Sequence, residues 1–140
     1  MNTFETITHS AQETQELGKR ISRSLKKGSI VALFGELGAG KTTIIQGIGW
    51  GLGLPQKTYI NSPSFVLLKQ YAGKFPIYHF DLYRLKDFEE LKEIGYPDFF
   101  HNSGVVLIEW AERIEKYLEK CIRIEMKYLN LEKREIKVFH

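Results

Sequence analysis

Apolar positions along the chain switch between a two-residue period and a helical one, and each switch predicts an element. Residues 3–8 alternate and are rich in Thr and Ile, which predicts a strand. Ser10 and Glu13 then form an S-x-x-E capping box, expected to satisfy two otherwise orphan N–H groups where a helix starts. Leu17, Ile21 and Leu25 recur at i, i+4 and i+8 as one apolar stripe, and Gly28 beyond it can end that helix. Residues 29–34 are apolar apart from Ser29 and predict a short buried strand. After it, Gln46 to Gly53 alternates glycine with other residues, a pattern that alone hints at a strand. The segment is nevertheless predicted helical, because of the glycine turn before it, with Ile44, Ile48 and Leu52 as its buried stripe.

Further along, residues 66–71 predict a strand, Ala72-Gly73-Lys74 a hairpin turn, and residues 75–80 the returning strand. Residues 89–94 suggest a short helix stopped by Gly95-Tyr96-Pro97. Val105-Val106-Leu107-Ile108 is a continuous apolar run, as expected of a strand buried on both faces. Residues 111–120 form a second short helical stretch. Ile122, Ile124 and Met126, then Ile136 and Val138, alternate with charged residues, and Asn130-Leu131-Glu132 joins them as a terminal hairpin. The predicted fold class is α/β: a single domain over residues 1–140, with a mainly parallel central sheet flanked by helices, an antiparallel portion and a C-terminal hairpin.

The glycine turn changes the picture from fold to chemistry. Gly35-Glu36-Leu37-Gly38-Ala39-Gly40-Lys41-Thr42 fills every fixed position of the phosphate-binding pattern G-x-x-x-x-G-K-[ST]. A strand, a glycine turn and a helix start aim backbone N–H groups and the positive end of the helix dipole at one point. Glycine suits the loop because its backbone takes positive φ and approaches a ligand closely. Glu36, Gly38, Ala39, Gly40, Lys41, Thr42 and Thr43 are the candidate nucleotide contacts. Lys41 is expected to reach the β- and γ-phosphates, and Thr42 to place its hydroxyl on Mg2+.

Composition adds limits. The 140 residues are 43% hydrophobic and 26% charged, the balance of an ordinary globular protein. No apolar run is long enough for a membrane span and the first residues lack a signal-peptide layout, so a cytoplasmic location is expected. The single Cys121 forms no intrachain disulfide and is expected to fill a small buried apolar place. A net charge of +3 is too mild to indicate nucleic-acid binding, and the basic clusters at residues 19–27 and 133–137 read as solvated faces.

A phosphate loop needs carboxylates to hydrolyse anything. Glu109 follows the buried run ending at Ile108, the place of an acid that holds Mg2+. Asp81 follows Phe80 at the end of another predicted strand, and ligands of open α/β sheets collect at such carboxyl ends. Ser62 and Ser64, around Pro63, are candidate sensors of the γ-phosphate or turn formers. His79 and Trp110 adjoin the acids and are read as hydrogen-bonded and packing residues. Tyr96, Phe99 and Phe100 are read as core or lid.

Five segments in order carry a family resemblance: the loop through Thr43, Ser62-Pro63-Ser64-Phe65, His79-Phe80-Asp81-Leu82-Tyr83-Arg84-Leu85, Glu93-Ile94-Gly95, and Ile108-Glu109-Trp110-Ala111-Glu112-Arg113. From Thr8 to Arg113 the chain resembles TsaE (YjeE), the small bacterial ATPases of tRNA threonylcarbamoyladenosine synthesis. The resemblance implies ATP and Mg2+ as cofactors, the TsaD and TsaB proteins as partners, and tRNA engaged indirectly through that complex, with modification of adenosine 37 in ANN-decoding tRNAs. It implies Mg2+ binding by Thr42 and Glu109, a hydrolytic role for Asp81, and nucleotide contact by Trp110 and by Ser10 or Thr14. Ser64 departs from the threonine many members carry, and the glycine-rich helix has no explanation at this level. Arg84 and Arg113 are the candidate arginine fingers. A small-molecule kinase or a regulatory GTPase is the alternative. The first needs an acceptor pocket and an arginine-bearing lid for which 140 residues leave little room, and the second usually needs an N-K-x-D segment, which is absent.

Overall fold

Strand alternation explains the two cores on which the molecule is built. The structure is a computed structural model and describes residues 3–36, 39–55, 60, 67–96, 100 and 103–139. Strands β1 (Phe4–Thr8), β2 (Ile30–Phe34), β3 (Leu68–Ala72), β4 (Pro76–Asp81), β5 (Val105–Glu109), β6 (Ile122–Tyr128) and β7 (Arg134–Phe139) form one sheet in the order β1-β7-β6-β2-β5-β4-β3. The four central strands β6, β2, β5 and β4 run parallel, and the remaining pairings are antiparallel. Val31, Leu33, Ile77, Leu107 and Ile124 point to the face covered by helices α1 (Ala11–Ser22) and α2 (Lys41–Gly51). Ala32, Phe34, Phe80, Val106 and Ile108 point to the other, under α3 (Phe88–Ile94) and a 3-10 helix (Ala111–Tyr117). A strand covered on both faces has no polar alternation to show, hence the unbroken apolar run of β5.

Local signals hold at most ends. Ser10 caps α1, its hydroxyl accepting from Glu13 N–H at 3.0 Å. The reciprocal half of the capping box is displaced by one residue: the Glu13 carboxylate accepts from His9 N–H at 2.9 Å. Asp87 caps α3 in the same way, and Gly95 ends it at φ +86°. Helix α1 stops at Ser22, short of the predicted stripe. The Ser22 hydroxyl turns back to Lys19 O at 2.5 Å and the Ser24 hydroxyl to Ile21 O at 2.9 Å, so side chains satisfy carbonyls a further turn would have used. Leu25 is still buried, but in the turn beyond the helix. The stretch after β5 is 3-10 rather than α-helical and is broken at Ile114, whose φ is −130°. Cys121 is half-buried at the start of β6, and burial pushes its thiol pKa up.

The glycines of α2 have a packing reason. Helices α1 and α2 lie so close that a Cβ on Gly47 would stand 2.0 Å from Gln15 O, one on Gly18 2.4 Å from Ile44 O, and one on Gly51 2.0 Å from Ser22 Oγ. The Gln15 side-chain amide donates to Gln46 Oε1 at 3.1 Å across the same seam. The stripe of Ile44, Ile48 and Leu52 is buried as predicted, and it seats α2 with its N-terminus at the carboxyl end of β2.

Candidate functional site

The β2–α2 turn supplies the first part of the site. Gly40 is the residue before α2 and takes φ +97°, a left-handed conformation that strains any residue with a Cβ. That conformation lets the chain enter α2 with Lys41 as its first residue. Lys41 is 5% exposed; its Nζ donates to Gly35 O at 2.5 Å and lies 3.2 Å from the Trp110 ring centroid. Burial pushes the Lys41 pKa down, while the Glu112, Glu109 and Asp81 carboxylates pull it back. Glu112 Oε2 also accepts from Gly35 N–H at 2.9 Å. Trp110 itself has φ +59° and ψ +43°, a strained backbone for a non-glycine residue, and its ring rests 4.9 Å from that of Tyr83.

The second part comes from the ends of β5 and β4. Register pairs Asp81 with Glu109, and the two-residue period puts His79, Asp81, Leu107 and Glu109 on the face toward α2. Glu109 Oε1 accepts from the Thr42 hydroxyl at 3.0 Å, and Glu109 Oε2 accepts from His79 Nε2 at 2.6 Å. His79 is fully buried, and its other ring nitrogen has no partner among the described residues. Asp81 is 3% exposed and accepts from Tyr83 N–H at 2.9 Å. Burial pushes its pKa up and the Glu109 charge adds to that, against the Tyr83 hydrogen bond.

The third part is a cleft of about 60 Å³ beside Gly40, lined by Ser10, Ala11, Thr14, Gly40 and Thr43 on one side and by Leu131, Glu132 and Arg134 of the β6–β7 hairpin on the other. A hydrogen bond of 2.7 Å between the Thr8 and Thr14 hydroxyls ties the start of α1 to the end of β1 and so sets where Ser10 lies.

The structure therefore gathers Lys41, Thr42, Asp81, Glu109 and Trp110 at one point and places Ser10, Gly40 and Thr43 around the adjoining cleft. Glu36 is exposed with its carbonyl accepting from the N–H of buried Ala39 at 3.1 Å. Gly38, Ser62, Pro63 and Ser64 lie outside the described residues, as do Phe65, Val66 and Phe99. Arg113 is engaged elsewhere, its Nη2 donating to Tyr83 O at 2.9 Å. Sequence reasoning read His79 as a hydrogen-bonded residue without naming Glu109 as its partner, and it did not single out Glu112 or Arg134 for these contacts. For His79 the signal was present, since it stands two residues before Asp81 on the same strand face. For Arg134 there was none. A hydroxyl and a carboxylate 3.0 Å apart are hard oxygen donors of the kind Mg2+ prefers, so Thr42 and Glu109 fit such an ion.

A sheet with a parallel centre, whose second strand leads through a glycine turn into a helix capped by Gly40 and opened by Lys41 and Thr42, defines a P-loop α/β protein. The family model for the threonylcarbamoyl adenosine biosynthesis protein TsaE matches residues 8–136, and the chain belongs to that family. It is 40% identical over 133 residues to the tRNA threonylcarbamoyladenosine biosynthesis protein TsaE of Treponema pallidum, covering 94% of this chain and 97% of that one. The corresponding Bacillus subtilis protein is 39% identical over 131 residues, covering 92% and 80%. The crystal structure of Bacillus subtilis YdiB superposes with a TM-score of 0.80 at 34% identity, covering 98% of this chain and 84% of that one.

Proposed function

We propose that this protein is a Mg2+-dependent ATP hydrolase required for threonylcarbamoylation of adenosine 37 in ANN-decoding tRNAs, acting in the cytoplasm with TsaD and TsaB. The observation that carries the reading is the meeting of Lys41 and Thr42 with the two strand-end acids, Asp81 and Glu109, within a chain of this family. Lys41 leaves the Gly35 carbonyl and its ammonium binds the terminal phosphate oxygens, in a buried setting where one charge counts for more than in water. Backbone N–H groups at the start of α2 and the helix dipole hold the inner phosphates. Thr42 and Glu109 hold Mg2+, whose chemistry there is neutralisation of charge on the phosphate oxygens. Asp81 orients the attacking water, and His79 fixes the Glu109 carboxylate from behind.

Arg113, one of the two candidate arginine fingers, is engaged by Tyr83 O, so it is not free to approach a transferring phosphoryl group. Slow turnover alone and faster turnover with partners follows from that. Steady-state ATP hydrolysis is measured with and without a TsaD–TsaB complex, together with a pull-down. Stimulation is expected, and equal rates would count against the assignment.

A further inference from the structure

The net charge of +3 is the sum of two unlike parts of the chain. Residues 17–80 hold nine Lys and Arg against one acid, Glu36, a balance of +8, while the rest of the chain holds eleven against sixteen, a balance of −5. Of the nine, Lys41 belongs to the phosphate loop and Lys57 lies outside the described residues. Lys19, Arg20, Arg23, Lys26, Lys27 and Lys74 are brought by the fold to one end of the molecule.

Helices α1 and α2 run side by side in the same direction, since Gln15 meets Gly47 and Ser22 meets Gly51. Helix α2 starts at the phosphate loop, so both helices end together at the far side of the sheet, by the amino ends of the parallel strands. Lys19 lies on the end of α2, its Nζ 5.8 Å from the Trp50 ring centroid. Lys74 adjoins the same helix end, its N–H donating to Leu52 O at 2.7 Å. The turn carrying Lys26 and Lys27 is tied through Gly28 N–H to Gly104 O at 2.8 Å, and a Cβ on Gly104 would stand 2.1 Å from Pro76 O. The two helix ends and the β3–β4 turn thus form one surface. All six cations are exposed except the half-buried Lys19. Lys19 is also the one with an ion-pair partner among the described residues, Glu16 at 3.3 Å, and so exposed a pair contributes little.

The fold itself explains only part of this charge. A helix C-terminus presents about half a negative charge, so the two helix ends and Glu16 together offset about two of the six cations. An excess of about four remains, and cations crowded without counter-charge repel one another until an anion joins them. A membrane surface would supply anions, but binding there also needs apolar side chains to insert. Leu17, Ile21 and Leu25 are buried, and none of the exposed large apolar side chains of the described residues falls between residues 17 and 80. A nucleic-acid backbone asks only for a spaced array of Lys and Arg.

We propose that this end of the molecule binds the sugar–phosphate backbone of tRNA directly, through Arg20, Arg23, Lys26, Lys27 and Lys74, while the nucleotide is held at the opposite end. The inference deepens the proposed function and rests on it for the choice of RNA. Binding is measured without nucleotide or partner proteins, so the two can fail separately.

Fluorescence anisotropy follows the protein alone with a labelled, unmodified ANN-decoding tRNA, at salt from about 50 to 200 mM. The parent is compared with Arg20→Gln/Arg23→Gln/Lys27→Gln and with Lys92→Gln/Lys116→Gln/Lys127→Gln, a control with the same change of charge elsewhere on the surface. Circular dichroism and ATP hydrolysis are recorded on the same samples. The expected result is a loss of at least tenfold in affinity for the first variant, with its slope of log affinity on log salt shallower by about 2. The control binds as the parent does, and both variants keep parental ATP hydrolysis. No binding by the parent, no loss in the first variant, or an equal loss in the control overturns the proposal. Binding to phosphatidylglycerol vesicles or to polyglutamate as tight as to tRNA overturns the choice of RNA. A parent that binds tRNA in this way yet hydrolyses no ATP supports the surface and overturns the hydrolase reading. Should the first variant not fold, amide exchange of the parent decides: protection at residues 23–28 and 72–75 rises with tRNA, and no change there overturns the assignment.

Discussion

Gly47→Ala inverts an ordinary rule, which makes it a sharp test of the α1–α2 seam. In the interior of an exposed helix, replacing glycine by alanine stabilises by about 0.8–1.0 kcal/mol. At position 47 the new Cβ would meet Gln15 O at 2.0 Å, Gln15 C at 2.7 Å and Gln15 Cα at 2.8 Å. All three are backbone atoms, so no rotamer change relieves them and α1 has to move away by more than an ångström. Overpacking of that kind costs about 1–3 kcal/mol, and displacement of backbone puts it toward the top of the range. Less the propensity gain, a net destabilisation of about 1–2 kcal/mol is expected. Urea unfolding at equilibrium measures it, and an unchanged m-value shows that the two-state transition is the same. Gly49→Ala is the control: its nearest neighbour is Ile60 Cδ1 at 2.7 Å, the movable end of a side chain, so its loss is smaller. A Gly47→Ala protein more stable than the parent by about 1 kcal/mol would show that the helices do not meet there.

The other predictions concern the site. Lys41→Ala is expected to lower ATP turnover by at least about 100-fold with its circular dichroism unchanged, and near-parental hydrolysis would remove Lys41 from the mechanism. The folded state binds a proton at Asp81 more readily than the unfolded chain does, so stability falls as pH rises from the ordinary value of 3.8 through the raised one. Asp81→Asn should therefore match the parent's stability in acid, exceed it above that window, and hydrolyse nothing; equal stability of the two proteins across pH 3–8 would contradict the burial argument. In a Trp50→Phe protein, Trp110 is the single tryptophan left, and saturating nucleotide should change its emission by drawing Lys41 from its ring. An unaltered spectrum at saturation would place Trp110 away from the phosphates.

Much of this was legible in residue order because the signals are local or have a single period. The loop pattern, the Ser10 cap, the unbroken run of β5 and the alternation of β6 and β7 each survive without knowledge of neighbours. What was not legible depends on which elements meet. The alternating glycines of α2 look like a poor helix until α1 is laid against them, since the reason for Gly47 and for Gly51 lies some thirty residues away, at Gln15 and Ser22. Helix α1 looked longer than it is because Leu25 is buried as a helical stripe would bury it, although the hydroxyls of Ser22 and Ser24 have already closed the turn. Glu112 reaches Gly35 across 77 positions of sequence, and Arg134 reaches Gly40 from the last strand. No periodicity reports contacts of that kind.

The pattern of contacts in the site also bears on how tightly it holds a ligand. Lys41 is satisfied by Gly35 O and the Trp110 ring, Thr42 by Glu109, Glu109 by His79, and Asp81 by Tyr83 N–H. A nucleotide arriving at the loop exchanges these partners rather than filling empty ones, so each new hydrogen bond contributes only its difference from the one it replaces. Drawing Lys41 from Trp110 frees a ring that packs on Tyr83, a residue 42% exposed, and Tyr83 in turn holds Asp81 through its N–H and Arg113 through its carbonyl. The strained backbone of Trp110 lies between Glu109 and the 3-10 helix that carries Glu112 and Arg113. Lys41, Trp110, Tyr83, Asp81 and Arg113 thus form one run of touching groups that leads from the phosphate loop to the exposed Tyr83 ring.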